Sequence, residues 1–95
     1  MDDIDAELTR LVPDYLAARR RDLVTLRELL GRECWDDMRR IGHRMKGTGA
    51  TYGFPDISRL GDAIEVAAQS ADAGVLCRLF DQLDILLAAI EGDMK

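Results

Sequence analysis

Apolar residues recur along the chain at spacings of three and four, and alternating β-branched runs are missing, so the periodicity is helical almost throughout. Leu8, Leu11, Val12, Tyr15, Leu23, Leu26, Leu29 and Leu30 mark an amphipathic stretch that ends near Gly31. Pro13 falls inside it. An interior proline removes a hydrogen bond and clashes one turn back, so the pattern predicts a short N-terminal helix and a break or kink there. Gly31 and Arg32 form the first loop. A second helix is predicted from about Cys34 to Tyr52, with Trp35, Met38, Ile41, Met45, Thr48 and Tyr52 on one stripe. Gly53 suits its C-cap, and Pro55 suits the first turn of a third helix carrying Ile57, Leu60, Gly61, Ile64, Ala67 and Ala68. Asp72 is a natural N-cap for the last helix, whose inner face holds Val75, Leu76, Leu79, Phe80, Leu83, Leu86, Leu87 and Ile90. Four apolar stripes joined by short loops want a common core. The expected fold is all-α, an antiparallel four-helix bundle with a short additional N-terminal helix, as one domain over residues 1–95.

Composition narrows the function. The 95 residues carry thirteen basic and eighteen acidic side chains, a net charge of −5, which argues against nucleic-acid binding. No apolar run approaches the roughly 20 residues of a membrane span, and the start, Met-Asp-Asp-Ile-Asp, lacks a basic signal region. A cytoplasmic location is expected. Cys34 and Cys77 are too few for a disulfide framework and read as reduced core residues. His43 is the single histidine, which excludes a histidine-rich metal cage or a two-histidine iron site. No metal site is expected, and Asp36 and Asp37 read as residues that cap or solvate a helix start.

At about 100° per residue, His43 lies about 200° from Ile41 and Met45, so it points away from the apolar stripe, toward solvent. Positions three and four apart share a helix face. His43 therefore shares its face with Arg39, Arg40, Lys46 and Gly47, and Ala50 continues that line. A neutral imidazole is a nucleophile, and its unperturbed pKa of about 6.5 leaves it largely unprotonated near neutral pH. Lys46 places an ammonium beside whatever becomes bonded to it, and Arg44 adds to a locally basic segment. Gly47, about 1 kcal/mol worse than alanine in a helix interior, clears the approach to the ring. These features suit reversible acceptance of a phosphoryl group. The same residues also fit a plainer account, in which small residues allow helix packing and outer charges are merely solvated. Gly49 fits that packing account better than Gly47. The segment Gly42 to Gly49 does not match a nucleotide-binding P-loop: its lysine precedes the glycine, it lies mid-helix, and no strand is predicted. No ATP site is found.

The segment His43-Arg44-Met45-Lys46-Gly47-Thr48-Gly49-Ala50 resembles the His-x-x-Lys-Gly motif of histidine-containing phosphotransfer (HPt) domains. Tyr52-Gly53-Phe54, the run Leu60-Gly61-Asp62-Ala63-Ile64-Glu65, and the earlier Leu11-Val12-Pro13-Asp14-Tyr15-Leu16 extend the likeness over essentially the whole chain. Departures are mild: methionine stands at 45 where leucine is commoner, and Thr48-Gly49 follows the glycine. The resemblance implies that His43 is the phosphoacceptor, that Lys46 neutralises phosphoryl oxygens, and that Gly47 keeps the site open. It implies that Glu65 accepts the Nδ1–H of His43 and leaves Nε2 as nucleophile, although a glutamate here could equally be solvated. Partners would be response-regulator receiver domains and a histidine kinase, docking on the face around His43 with Arg39, Arg40, Arg44 and Ala50. The chain would be a stoichiometric phosphocarrier and a monomer with no cofactor of its own, Mg²⁺ being expected on the receiver. Alternatives are a helical interaction module that has lost phosphotransfer, or an acceptor phosphorylated directly by a histidine kinase. A cofactor-binding bundle would need more ligands than one histidine provides.

Overall fold

The computed structural model describes the backbone of residues 2–94 and the side chains of residues 6–94. Four helices follow one another: α1 (Asp2–Gly31), α2 (Trp35–Thr48), α3 (Pro55–Gln69) and α4 (Ala73–Asp93). Each packs on the next and α4 closes back on α1, so the helices form a ring around one core. Leu26, Met38, Met45, Ile57, Ile64, Leu76, Phe80, Leu83 and Leu87 are fully buried at its centre. All four predicted stripes contribute, and no polar or charged side chain is buried among the described residues. No described helix is long and apolar enough to cross a membrane.

The expected separate N-terminal helix is not formed, because α1 runs unbroken through Pro13. Pro13 sits on the exposed side, where water can compensate a missing N–H, and it closely precedes Tyr15 and Leu16, both buried. Burying two such side chains is worth about 1.5–3 kcal/mol each, which offsets the proline cost of about 3 kcal/mol. Leu11, placed on the apolar stripe by its spacing, is exposed instead, and Leu16 takes a core position. The cysteines are corrected too. Cys34 is half-buried at the start of α2 and Cys77 is exposed on α4, so neither belongs to the core.

Loop chemistry explains where the helices stop. After α1, the Cys34 N–H donates to the Leu29 carbonyl and the Glu33 N–H to the Leu30 carbonyl, with Glu33 at φ 56°. After α3, Asp72 N–H to Ala67 O and Ala71 N–H to Ala68 O repeat the arrangement, with Ala71 at φ 51°. Both are Schellman closures with a left-handed residue where glycine is normally used. The α2 end differs from the predicted helix to Tyr52: the helix stops at Thr48, and a further turn ends on Gly53 at φ 91° with Phe54 N–H donating to Gly49 O. Asp72 caps α4 as expected, its Oδ1 accepting from Val75 N–H at 3.1 Å. An L-residue in the left-handed region costs roughly 1–2 kcal/mol. Ala71→Gly is therefore expected to stabilise the bundle by about 0.5–1 kcal/mol, read as a rise in the urea midpoint at unchanged m-value.

Across the α1/α4 seam, the Arg20 guanidinium forks over Glu91 (2.8 and 3.0 Å) and reaches Asp84 Oδ1 at 2.6 Å. Hydrogen bonds to these carboxylates hold Arg20 above its ordinary pKa. This seam lies away from the α2/α3 pair, which makes the most extensive helix contact in the molecule.

Candidate functional site

The α2/α3 contact is close because glycines meet there. A Cβ built on Gly61 would lie 2.4 Å from the Lys46 backbone nitrogen and 2.7 Å from the Gly42 carbonyl oxygen. One on Gly42 would lie 2.8 Å from both the Glu65 nitrogen and the Gly61 oxygen. With the backbones this near, side chains on the outer edge of the contact can bridge the two helices. His43 Nδ1 lies 3.0 Å from Glu65 Oε2. Lys46 Nζ lies 3.0 Å from Asp62 Oδ1 and 3.9 Å from Glu65 Oε1. Three residues up α2 match three residues down α3, so the pairs form two successive rungs of an antiparallel ladder.

The imidazole side chain is 67% exposed while Glu65 is only 14% exposed. The carboxylate is thus fixed beneath the ring, which stands above it with Nε2 on the edge away from Glu65. A neutral imidazole donating Nδ1–H to a carboxylate has its lone pair on Nε2. Nothing lies within 4 Å of a Cβ built on Gly47, so the space beside the ring is open. Gly49 is different. Its Cβ would meet the Ser58 nitrogen at 2.5 Å, so Gly49 is a packing glycine and Gly47 is not. Lys46 is held above the ordinary lysine pKa, chiefly by its hydrogen bond to Asp62 and then by that carboxylate's charge. It is fully cationic at neutral pH.

A groove of about 490 Å³ runs beside the ring, lined by Arg19, Asp22, His43, Arg44, Gly47 and Thr48. Its α1 wall is anchored to α2 by contacts that periodicity does not reveal. Tyr15 Oη and Thr48 Oγ1 are 2.9 Å apart, and the Thr48 hydroxyl donates to the Arg44 carbonyl, which leaves the phenol as donor to Thr48. Tyr15 also stacks on Tyr52 at 4.1 Å and carries Arg19 over its ring at 4.5 Å.

His43, Lys46, Gly47 and Glu65 are brought together: helical spacing anticipates Lys46 and Gly47 beside His43, and the family resemblance anticipates Glu65. The basic residues divide. Arg39 and Arg40, one turn before His43, both turn back to Asp36, about two turns before it, at 2.9 and 3.0 Å. The hydrogen bond from Arg39 holds Asp36 below the usual carboxylate range. Asp36 therefore binds arginines and does not cap α2, whose N-cap position, Cys34, makes no side-chain capping bond. Arg44 is exposed on the groove and makes no ion pair among the described residues. Ala50 lies in the turn after α2, its N–H bonded to Ser58 Oγ at 2.8 Å. Asp62, the lysine's partner, is the site residue that sequence reasoning missed. Its signal was available: Asp62 precedes Glu65 by three positions, so the two share one face of α3. Among the described residues, no group of three or more His, Cys, Asp or Glu is placed to hold a metal ion.

The family model of the Hpt domain matches residues 10–93, nearly the whole chain. The chain belongs to the Hpt family. No curated protein and no solved structure matches it. As an Hpt domain the chain is a histidine-phosphotransfer module of a phosphorelay, a phosphocarrier that works with receiver domains and kinases of two-component systems. The family is all-helical, as this bundle is.

Proposed function

We infer that His43 Nε2 accepts a phosphoryl group from an aspartyl phosphate of a receiver domain and returns it to the aspartate of another. One observation carries this reading: the Nδ1 edge of an otherwise exposed imidazole is engaged by a largely buried carboxylate, which aims the opposite nitrogen outward beside Gly47. In the transfer, the Nε2 lone pair attacks phosphorus in line, through a loose transition state with charge spread over the phosphoryl oxygens. The N–P bond forms, the P–O bond to the aspartate breaks, and its electron pair leaves on the carboxylate. No proton is lost, so the ring ends as a phosphoimidazolium that keeps Nδ1–H. Glu65 then faces a positive ring and offsets the charge that the ring gains. Lys46 faces the phosphoryl oxygens, and Arg44 lines the side on which a receiver docks. Mg²⁺, where the transfer needs it, comes with the receiver.

The test is to mix this protein with a labelled, phosphorylated receiver and look for label on the chain. Acid-labile, base-stable label that returns to unphosphorylated receiver is the expected result. No label from any receiver of the same organism overturns the reading. Labelling by a kinase and ATP with every receiver left out would place the domain directly after the kinase instead.

Orientation and charge at Glu65 are separable. Glu65→Gln keeps an acceptor for Nδ1–H but removes the charge, and is expected to slow transfer about tenfold, or 1.4 kcal/mol. Glu65→Ala removes both and is expected to slow it further, by up to about 100-fold. Equal rates in wild type and Glu65→Ala would end the role given to Glu65.

A further inference from the structure

Asp62 is a carboxylate at the second rung of the ladder, and the reaction requires none there. Lys46 points at Asp62 at 3.0 Å, while Glu65, the partner of His43, is 3.9 Å away. The hydrogen bond and the charge of Asp62 are also the main causes of the raised lysine pKa. Two carboxylates and one ammonium thus surround the place where a phosphoryl group of about two negative charges arrives. Both members of the second rung are half exposed, at 50% and 53%, so the pair can open without disturbing the core.

We propose that Asp62 is a positioning residue that competes with the phosphoryl group for Lys46 and so sets how strongly His43 holds its phosphate. This rests on the acceptor role of His43. With Asp62 ionised, Lys46 is shared between aspartate and phosphoryl oxygens, and phosphohistidine stays a good donor to the next receiver. Without it, Lys46 swings fully to the phosphoryl group and the phosphohistidine state deepens. No covalent step changes. The residue acts through the lysine and never touches phosphorus.

The experiment measures how label distributes at equilibrium between this protein and a receiver domain, for wild type, Asp62→Asn and Asp62→Glu. Asp62→Asn is expected to shift the distribution toward His43 by about three- to tenfold, the scale of removing one charge at this range in a largely aqueous medium. Asp62→Glu should restore it, and the asparagine shift should shrink in high salt. In a Lys46→Ala background, Asp62→Asn should have less than half its effect, since the two residues act as a pair. A merely structural aspartate would move thermal stability and leave the distribution alone. An unchanged or opposite shift in Asp62→Asn overturns the proposal, as does a full effect without Lys46. Failure of wild type to take label at all would instead strike the acceptor reading beneath it.

Discussion

His43→Gln is expected to lower phosphoryl labelling at least about 100-fold, equivalent to about 2.7 kcal/mol, with no loss of fold. The first half follows from chemistry. Phosphoramidate formation requires a nitrogen with an available lone pair, whereas that of a glutamine amide is delocalised into its carbonyl, and no other histidine exists in the chain to substitute. The second half follows from the position. The His43 side chain is two-thirds exposed, its hydrogen bond is to Glu65, and it contributes nothing to the buried core. A glutamine amide can still donate to that carboxylate. Its thermal midpoint should therefore stay within the few degrees that correspond to about 0.5 kcal/mol in a domain of this size. The pair of measurements is decisive because the two halves fail differently. Acid-labile label persisting on the variant would mean that another residue accepts the group. Lost label with lost helicity would mean that His43 is structural.

Much of this site is visible along one helix. The 100° step that puts Met38, Ile41 and Met45 inside also puts His43 outside. The i,i+3 and i,i+4 relation then places Lys46 and Gly47 beside it. What such a step cannot carry is the neighbour across a helix interface. Asp62 and Glu65 are polar residues off the apolar stripe of α3, and periodicity alone leaves both in solvent. They become site residues because glycines 42 and 61 bring two backbones close enough for short side chains to meet. The resemblance to the family supplied Glu65, but nothing in the motif supplied Asp62. Pro13 shows the converse limit. A local cost of about 3 kcal/mol is readable, whereas the burial of Tyr15 and Leu16 that offsets it depends on where α2 and α4 lie. The cysteines fail for a similar reason. Residue type favours burial, but Cys77 sits between Leu76 and Arg78 on the outward side of α4.

Gly61→Ala is expected to destabilise the protein, against the usual sign of a glycine-to-alanine change in a helix. Helix propensity alone would stabilise by about 1 kcal/mol. Here the new methyl meets the Lys46 nitrogen, the Gly42 oxygen and the Met45 Cβ, all closer than 3.0 Å. Two of the three are backbone atoms that no rotamer change can move, so α2 and α3 must separate. Overpacking of this kind costs about 1–3 kcal/mol, leaving a net loss of up to about 2 kcal/mol, or roughly 5–15 °C in Tm for a domain of this length. Gly61→Val, with a branched side chain in the same gap, should lose more. Gly47→Ala is the matched control in the neighbouring helix: no atom stands within 4 Å of its Cβ, so it should raise Tm by about 4–8 °C. Opposite signs from the same chemical change isolate the interface as the cause. Separation of the helices would also lengthen both rungs, His43 to Glu65 and Lys46 to Asp62, since each spans that contact. Measured well below its Tm, Gly61→Ala should therefore transfer phosphate about as slowly as Glu65→Ala, although it alters neither side chain. A Gly61→Ala protein stabilised to the same degree as Gly47→Ala would rule out the close approach that assembles the site.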